Sequence, residues 1–206
     1  MAEAAAAIQP AERGDDGHHT SLGLSNEKMG MWTLIASECL FFGALISTYL
    51  IYLDELADGP GPGEIFDIPF TSVSTFILLM SSLGMVLALA AIQAGDMRRF
   101  RIWTLATAAM GSTFLAGQIY EFTFFVEEGF GLTTSAFSSS FFVLTGFHGV
   151  HVAVGILMLL GMWGASFLGR LTPAHDGTVE NIGLYWHFVD IVWIVLFTVV
   201  YLIPAE

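Results

Sequence analysis

Charge is what this chain has least of. Only 12% of its 206 residues are charged, and just six of those are Lys or Arg against nineteen Asp or Glu. Six cations cannot assemble a phosphate-binding surface, so a nucleic-acid partner is excluded despite the size of the net charge, −13. The single cysteine, Cys39, rules out an internal disulfide and a cysteine metal cluster. Lying in an apolar stretch, it reads as a thiol packed within a helix. Phosphate-binding glycine loops, P-loops and nucleophile elbows are absent. So are the paired Glu-x-x-His motifs of a ferritin-like carboxylate site, and any internal repeat. By itself the chain offers no catalytic constellation.

What replaces charge is apolar bulk. Hydrophobic residues make up 55% of the chain, with eighteen Phe and five Trp, and the mean hydropathy is +0.71. A soluble domain of this size exposes far more charge. The sequence therefore predicts an all-α integral membrane protein. Five apolar stretches, at about 29–53, 70–94, 100–124, 137–167 and 184–203, are each long enough to cross a hydrocarbon core of about 30 Å. The fourth is long enough to tilt or protrude. Short connections join them, except for DELADGPGPGEIFDIP between the first two, and nothing remains for a soluble domain.

Residues 1–28 read as a flexible tail rather than a targeting signal, because AEAAAAIQPAERGDDGHHT has no basic n-region and its Ala run is too short. His18 and His19 in that tail read as solvated. Arg13 and Lys28 precede the first stretch; Arg98, Arg99 and Arg101 follow the second; Arg170 follows the fourth. If the spans alternate, all six basic residues fall on one side. Lys and Arg are held on the cytoplasmic side, so the expected arrangement is five spans with the N-terminus inside and the C-terminus outside.

Ionisable groups inside such spans are costly and are candidate functional positions by default. Glu38 sits roughly 13 Å inward from Met29 at 1.5 Å per residue. Gln118 and Glu121, three apart, share a face towards the outer end of the third span. His148 and His151, in HGVH, lie in the outer half of the fourth and could face one ion. His187 and Asp190 lie in the first two turns of the fifth, placing His187 across the membrane from His148. A metal or haem site needs more ligands than this converging on one point. The alternative for each residue is a hydrogen bond between helices that holds the bundle together.

Several stretches carry a family resemblance: SSFFVLTGFHGVHVAVG and YWHFVDIVWIVLFTVVYL, with IASECLFFGALISTYLIY, FILLMSSLGMVLALA and GQIYEFTFFVEEGFGLTTSAF. From about residue 26 to the end, in order and with similar spacing, they resemble subunit III of haem-copper terminal oxidases. The chain looks like the five-span form, lacking the first two of the seven spans found in mitochondrial and many bacterial members. Those two helices form one wall of the family's lipid-holding cleft, so another subunit is expected to complete it.

The resemblance implies a non-redox accessory subunit beside a catalytic subunit I that carries the haems and copper. Subunit II and a small subunit IV are the other implied partners, in a bacterial inner membrane. It further implies phospholipid binding, support of proton uptake into the D pathway and protection of subunit I during turnover. The family's membrane-buried carboxylate matches Glu38 in IASEC, and Gln118, Glu121, His148, His151, His187 and Asp190 match motif positions. No cofactor is expected on this chain itself. Glu38 leans towards a cytochrome c oxidase, whereas EIFDIPF also looks like the quinol-oxidising branch. Two other classes stay open: a proton-coupled transporter with Glu38, Glu121 and Asp190 as a relay, and a metalloenzyme using His148 and His151.

Overall fold

The computed structural model describes residues 25–53 and 66–202. The expected tail with His18 and His19, most of the Pro- and Gly-rich connection and the last four residues lie outside them. Five long helices account for most of the described residues: α1 (Asn26–Ile51), α2 (Ile68–Gln93), α3 (Met97–Glu127), α4 (Ala136–Phe167) and α5 (Asp176–Phe197). A short 3-10 turn, Pro173–His175, leads into α5, and a π turn, Thr198–Leu202, ends it.

Local sequence explains where each helix begins. Ser25 accepts the Lys28 N–H, Asp67 the Phe70 N–H and Asp96 the Arg99 N–H, each satisfying a donor that the first turn leaves open. Ser135 and Ser138 cap α4 reciprocally. The turn between α2 and α3 is so tight that Gly95 takes φ +76°, a left-handed conformation that glycine adopts without a Cβ clash.

Helices α2, α3, α4 and α5 close into a ring, each packed on the next and α5 back on α2, while α1 leans from outside on α4 and α5. Close approach depends on small residues, as in membrane bundles generally. A Cβ on Gly111 would come within 2.5 Å of the Trp186 ring, and one on Gly155 within 2.7 Å. Trp186 is thus clasped between α3 and α4, and its indole N–H donates to Ser81 of α2 at 2.9 Å. At one end of the bundle aromatic rings gather: Phe66 lies 5.2 Å from Phe141 and 4.8 Å from Tyr201. At the other end Lys28 pairs with Glu180 at 2.7 Å, joining the starts of α1 and α5. There too Arg101 donates to Ser166 Oγ and its backbone oxygen, tying the start of α3 to the end of α4. All the described basic residues therefore gather at one end.

Four helices, α1, α2, α4 and α5 with its flanking turns, are long and apolar enough to cross a membrane. The fifth, α3, is 31 residues long but more polar, carrying three arginines in its first turns. Each helix begins one to a few residues before its expected stretch, and α5 departs most. It starts at Asp176 instead of 184, because Pro173 and the Thr172–His175 cap nucleate it early.

Candidate functional site

That early start moves two candidates. His187 lies in the fourth turn of α5 rather than the first two, near mid-helix. His148 is consequently not across the membrane from it, since His148 Nε2 lies 3.2 Å from the Val189 carbonyl, two residues from His187. The two imidazoles face different neighbours all the same. His187 Nδ1 meets Ser82 Oγ of α2 at 2.5 Å, while His148 is fully buried against Trp193 and Phe114, with ring centroids 4.8 and 5.9 Å away. A carbonyl only accepts, so His148 Nε2 carries the proton and the ring works as an aromatic core residue.

His148 and His151 do not address one ion. His151 turns the other way: its Nδ1 lies 2.7 Å from its own helix's Phe147 carbonyl, and its Nε2 lies 3.3 Å from Glu38 Oε2 on α1. The Tyr185 hydroxyl donates to the His151 carbonyl at 3.1 Å. Glu38 is therefore not a solitary carboxylate in an apolar stretch but half of a pair across the α1–α4 seam. Phe42 packs beside that pair, its ring 5.1 Å from that of His151. No three His, Cys, Asp or Glu side chains cluster to hold a metal ion among the described residues.

Gln118 and Glu121 are both buried, as their shared face suggests, yet they serve different helices. Glu121 accepts a hydrogen bond from Thr71 of α2, and Gln118 Nε2 donates to the Thr145 carbonyl of α4 at 2.6 Å. Gln118 also fills the space that a side chain on Gly149 would take, lying 2.8 Å from where its Cβ would be. Asp190 faces inward at 3% exposure, with both carboxyl oxygens free of hydrogen bonds to the described residues.

Sequence reasoning missed a polar seam between α2 and α5. Thr75 accepts from the Trp193 indole and Ser81 from the Trp186 indole, each at 2.9 Å, and Ser82 meets His187. The signal was present: two tryptophans seven residues apart on α5, and small hydroxyl residues at 71, 75, 81 and 82 of α2. Cys39 also departs from expectation. It is exposed and lines an apolar groove of about 430 Å³ between α1 and α5, with Trp32, Phe42, His187 and Phe188.

Comparison with known proteins gives a consistent answer. The family profile of cytochrome c oxidase subunit III matches residues 10–204. The cytochrome bo(3) ubiquinol oxidase subunit 3 of Pseudomonas aeruginosa is 37% identical over 94% of this chain and 93% of its own. The cytochrome c oxidase subunit 3 of Bacillus sp. strain PS3 is 38% identical over 86% of each chain. The quinol oxidase subunit 3 of Bacillus subtilis is 38% identical over 84% of this chain and 85% of its own.

Proposed function

This chain belongs to the cytochrome c oxidase subunit III family, and on that premise we propose that it is the non-redox accessory subunit of a proton-pumping haem-copper terminal oxidase. The observation that carries the reading is similarity to oxidase subunits along nearly the whole chain. Its partners are subunits I and II, and a small subunit IV, with the haems and copper on those partners. Glu38, Gln118, Glu121, His148 and His187 each reach a neighbouring helix, which supports a scaffold rather than a cofactor cage. Its place is the inner membrane of a bacterium.

In this reading all five helices cross the bilayer, α3 included, because α3 is as long as its neighbours and packed between α2 and α4. The basic end faces the cytoplasm, in keeping with the bias of Lys and Arg to that side, and the C-terminus lies outside. An impermeant label reaching an introduced cysteine at position 58 from the cytoplasmic side would overturn that orientation.

Cytochrome c is the proposed electron donor. Quinol is the second reading, favoured by the similarity to the ubiquinol oxidase subunit of Pseudomonas aeruginosa. The partner subunit II decides between them, since copper held by Cys and His there means cytochrome c. Glu38 is proposed to support proton uptake and lipid contact at the edge of the subunit. Gln118, Glu121, His148, His151, His187 and Asp190 are proposed to hold the helices in register around it.

The test is purification of a tagged chain from its own membranes in mild detergent. Co-purification of stoichiometric haem-containing subunits with oxygen-reducing activity is expected. A chain that arrives alone, or with metal bound to itself, would sink the proposal in favour of a transporter or a metalloenzyme. Within the complex, Glu38→Gln keeps shape and a hydrogen-bonding end but cannot ionise. The variant oxidase is expected to assemble and to lose activity sooner during turnover.

A further inference from the structure

The contact between Glu38 and His151 has a requirement that the residue types alone do not convey. His151 Nδ1 lies 2.7 Å from the Phe147 carbonyl oxygen, which only accepts, so Nδ1 carries a hydrogen. In a neutral imidazole the other nitrogen, Nε2, then presents a lone pair. That lone pair is 3.3 Å from Glu38 Oε2. If Glu38 were ionised and His151 neutral, a lone pair would face an anionic oxygen, a repulsive arrangement in surroundings of low dielectric. The approach becomes attractive only when one further proton sits in the pair.

We propose that Glu38 and His151 form a one-proton site at mid-membrane, shared between Glu38 Oε2 and His151 Nε2 and electrically neutral as a whole. Two placements exchange: a carboxylic acid beside a neutral imidazole, or a carboxylate beside an imidazolium. Passing between them breaks the O–H bond and forms the N–H bond, with no other atom needed. Either placement seats α1 on α4 without burying a net charge, which would cost several kcal/mol per unpaired ion.

Among the described residues, the titratable groups on the neighbouring helices are engaged elsewhere. Lys28, the basic residue on α1, is ten positions before Glu38, about 15 Å along the axis, and pairs with Glu180. On α5 the Tyr185 hydroxyl already donates to the His151 carbonyl, and His187, which lines the groove beside α1, is engaged with Ser82. On α4 the neighbouring titratable group is His148, whose Nε2 is engaged with Val189. The side chains of the pair are 22% and 17% exposed, for Glu38 and His151, so the site borders whatever covers the α1–α4 face and is not sealed from it. This deepens the role proposed above for Glu38. Its test reads the proton itself rather than turnover, so either idea fails without the other.

The full chain, labelled with 15N-histidine and held in lipid nanodiscs at neutral pH, provides the measurement. Of its six histidines, the His151 ring is assigned by the resonances that shift in Glu38→Gln or vanish in His151→Gln; either variant alone suffices. The expected spectrum shows His151 Nδ1 protonated. It is accompanied either by a protonated Nε2, or by a carboxylic-acid C=O infrared band that disappears in Glu38→Gln. The proposal is overturned by a neutral His151 with no Glu38 carboxylic-acid band, because the pair then holds no shared proton. It is equally overturned by a bare Nδ1.

Discussion

Helix α1 and the ring of α2 to α5 are built from the same apolar alphabet, yet they pack differently. Along 26 residues α1 buries only Phe42 and Tyr49, whereas α5 buries ten residues along 22. Glycine makes the contrast plain. In the ring, Cβ atoms at Gly84, Gly111, Gly149 and Gly155 would come within 3 Å of Thr107, Trp186 or Gln118, whereas Gly30 and Gly43 of α1 have nothing within 4 Å. Among lipid tails as apolar as leucine, burying a side chain gains little from leaving water, and helices associate through close packing and hydrogen bonds. The ring has both: small residues for approach, and hydroxyls that receive the Trp186 and Trp193 indoles. Helix α1 has Phe42, Tyr49 and two polar pairs. The ring is the scaffold, and α1 is a docked helix.

The sharpest way to break that contrast is to remove the ring's centrepiece. Trp186→Ala empties the space between Gly111 and Gly155 and leaves Ser81 without its donor, so a loss of about 3–5 kcal/mol is expected. Trp32→Ala on α1, at a half-exposed position, should leave the isolated chain within about 0.5 kcal/mol of wild type. Unfolding in mixed detergent micelles, followed by circular dichroism, compares the two. Equal losses would mean that α1 is as much a part of the core as α5.

Next in size is Phe42→Ala. Phe42 is 2% exposed, and its ring meets those of Phe41, His148, His151 and Phe188. Truncation should loosen α1 by about 3 kcal/mol, the lower end for a buried Phe, while the ring stays folded. The expected signature is an unfolding curve that splits in two, with protease cutting near residue 53 before any ring segment. A single transition shifted as a whole would show α1 and the ring to be one cooperative unit.

The membrane class, the all-helical fold and the gathering of basic residues at one end were legible in the sequence, because each rests on composition and order alone. Four of the apolar stretches matched helices closely. The start of α5 was misplaced because hydropathy marks where a helix is apolar, whereas Pro173 and its cap mark where it begins. Misplacing that start put His187 opposite His148. Which polar residues meet was much less legible. Three-residue spacing put Gln118 and Glu121 on one face, but nothing in it says that one serves α2 and the other α4. The same holds for Glu38 and His151, 113 residues apart: their meeting depends on α1 leaning on α4, which no local pattern encodes. Cys39 read as packed because free cysteines usually are, yet its side of α1 is open.

The ion pair at the start of α1 should matter less than its 2.7 Å length suggests. Lys28 and Glu180 are about a third exposed, at 32% and 40%, and pairs of that kind contribute less than about 1 kcal/mol. Glu180→Gln should therefore leave the ring's unfolding unchanged. Only the first of the two transitions in the Phe42→Ala background should move, and raised salt should erase the difference. A shift of the main transition would assign Glu180 to the scaffold instead.

The smallest effect separates an open face from a covered one. Leu40 is 78% exposed, on an open face of α1. Leu40→Ala should change the stability of the isolated chain by less than about 0.5 kcal/mol. If a partner subunit covers this face, the same substitution leaves a cavity at that contact and should weaken retention of this chain in the purified oxidase. Titrating the complex with detergent and measuring the chain still bound to the haem-bearing subunits reads that difference directly. Retention equal to wild type would mean that lipid covers Leu40, because a fluid acyl chain fills the space of three lost carbons where a packed helix cannot. Comparing Leu40→Ala with Leu157→Ala, another strongly exposed position, on α4 at 68%, then tells whether the partner sits on α1 alone or on the ring as well.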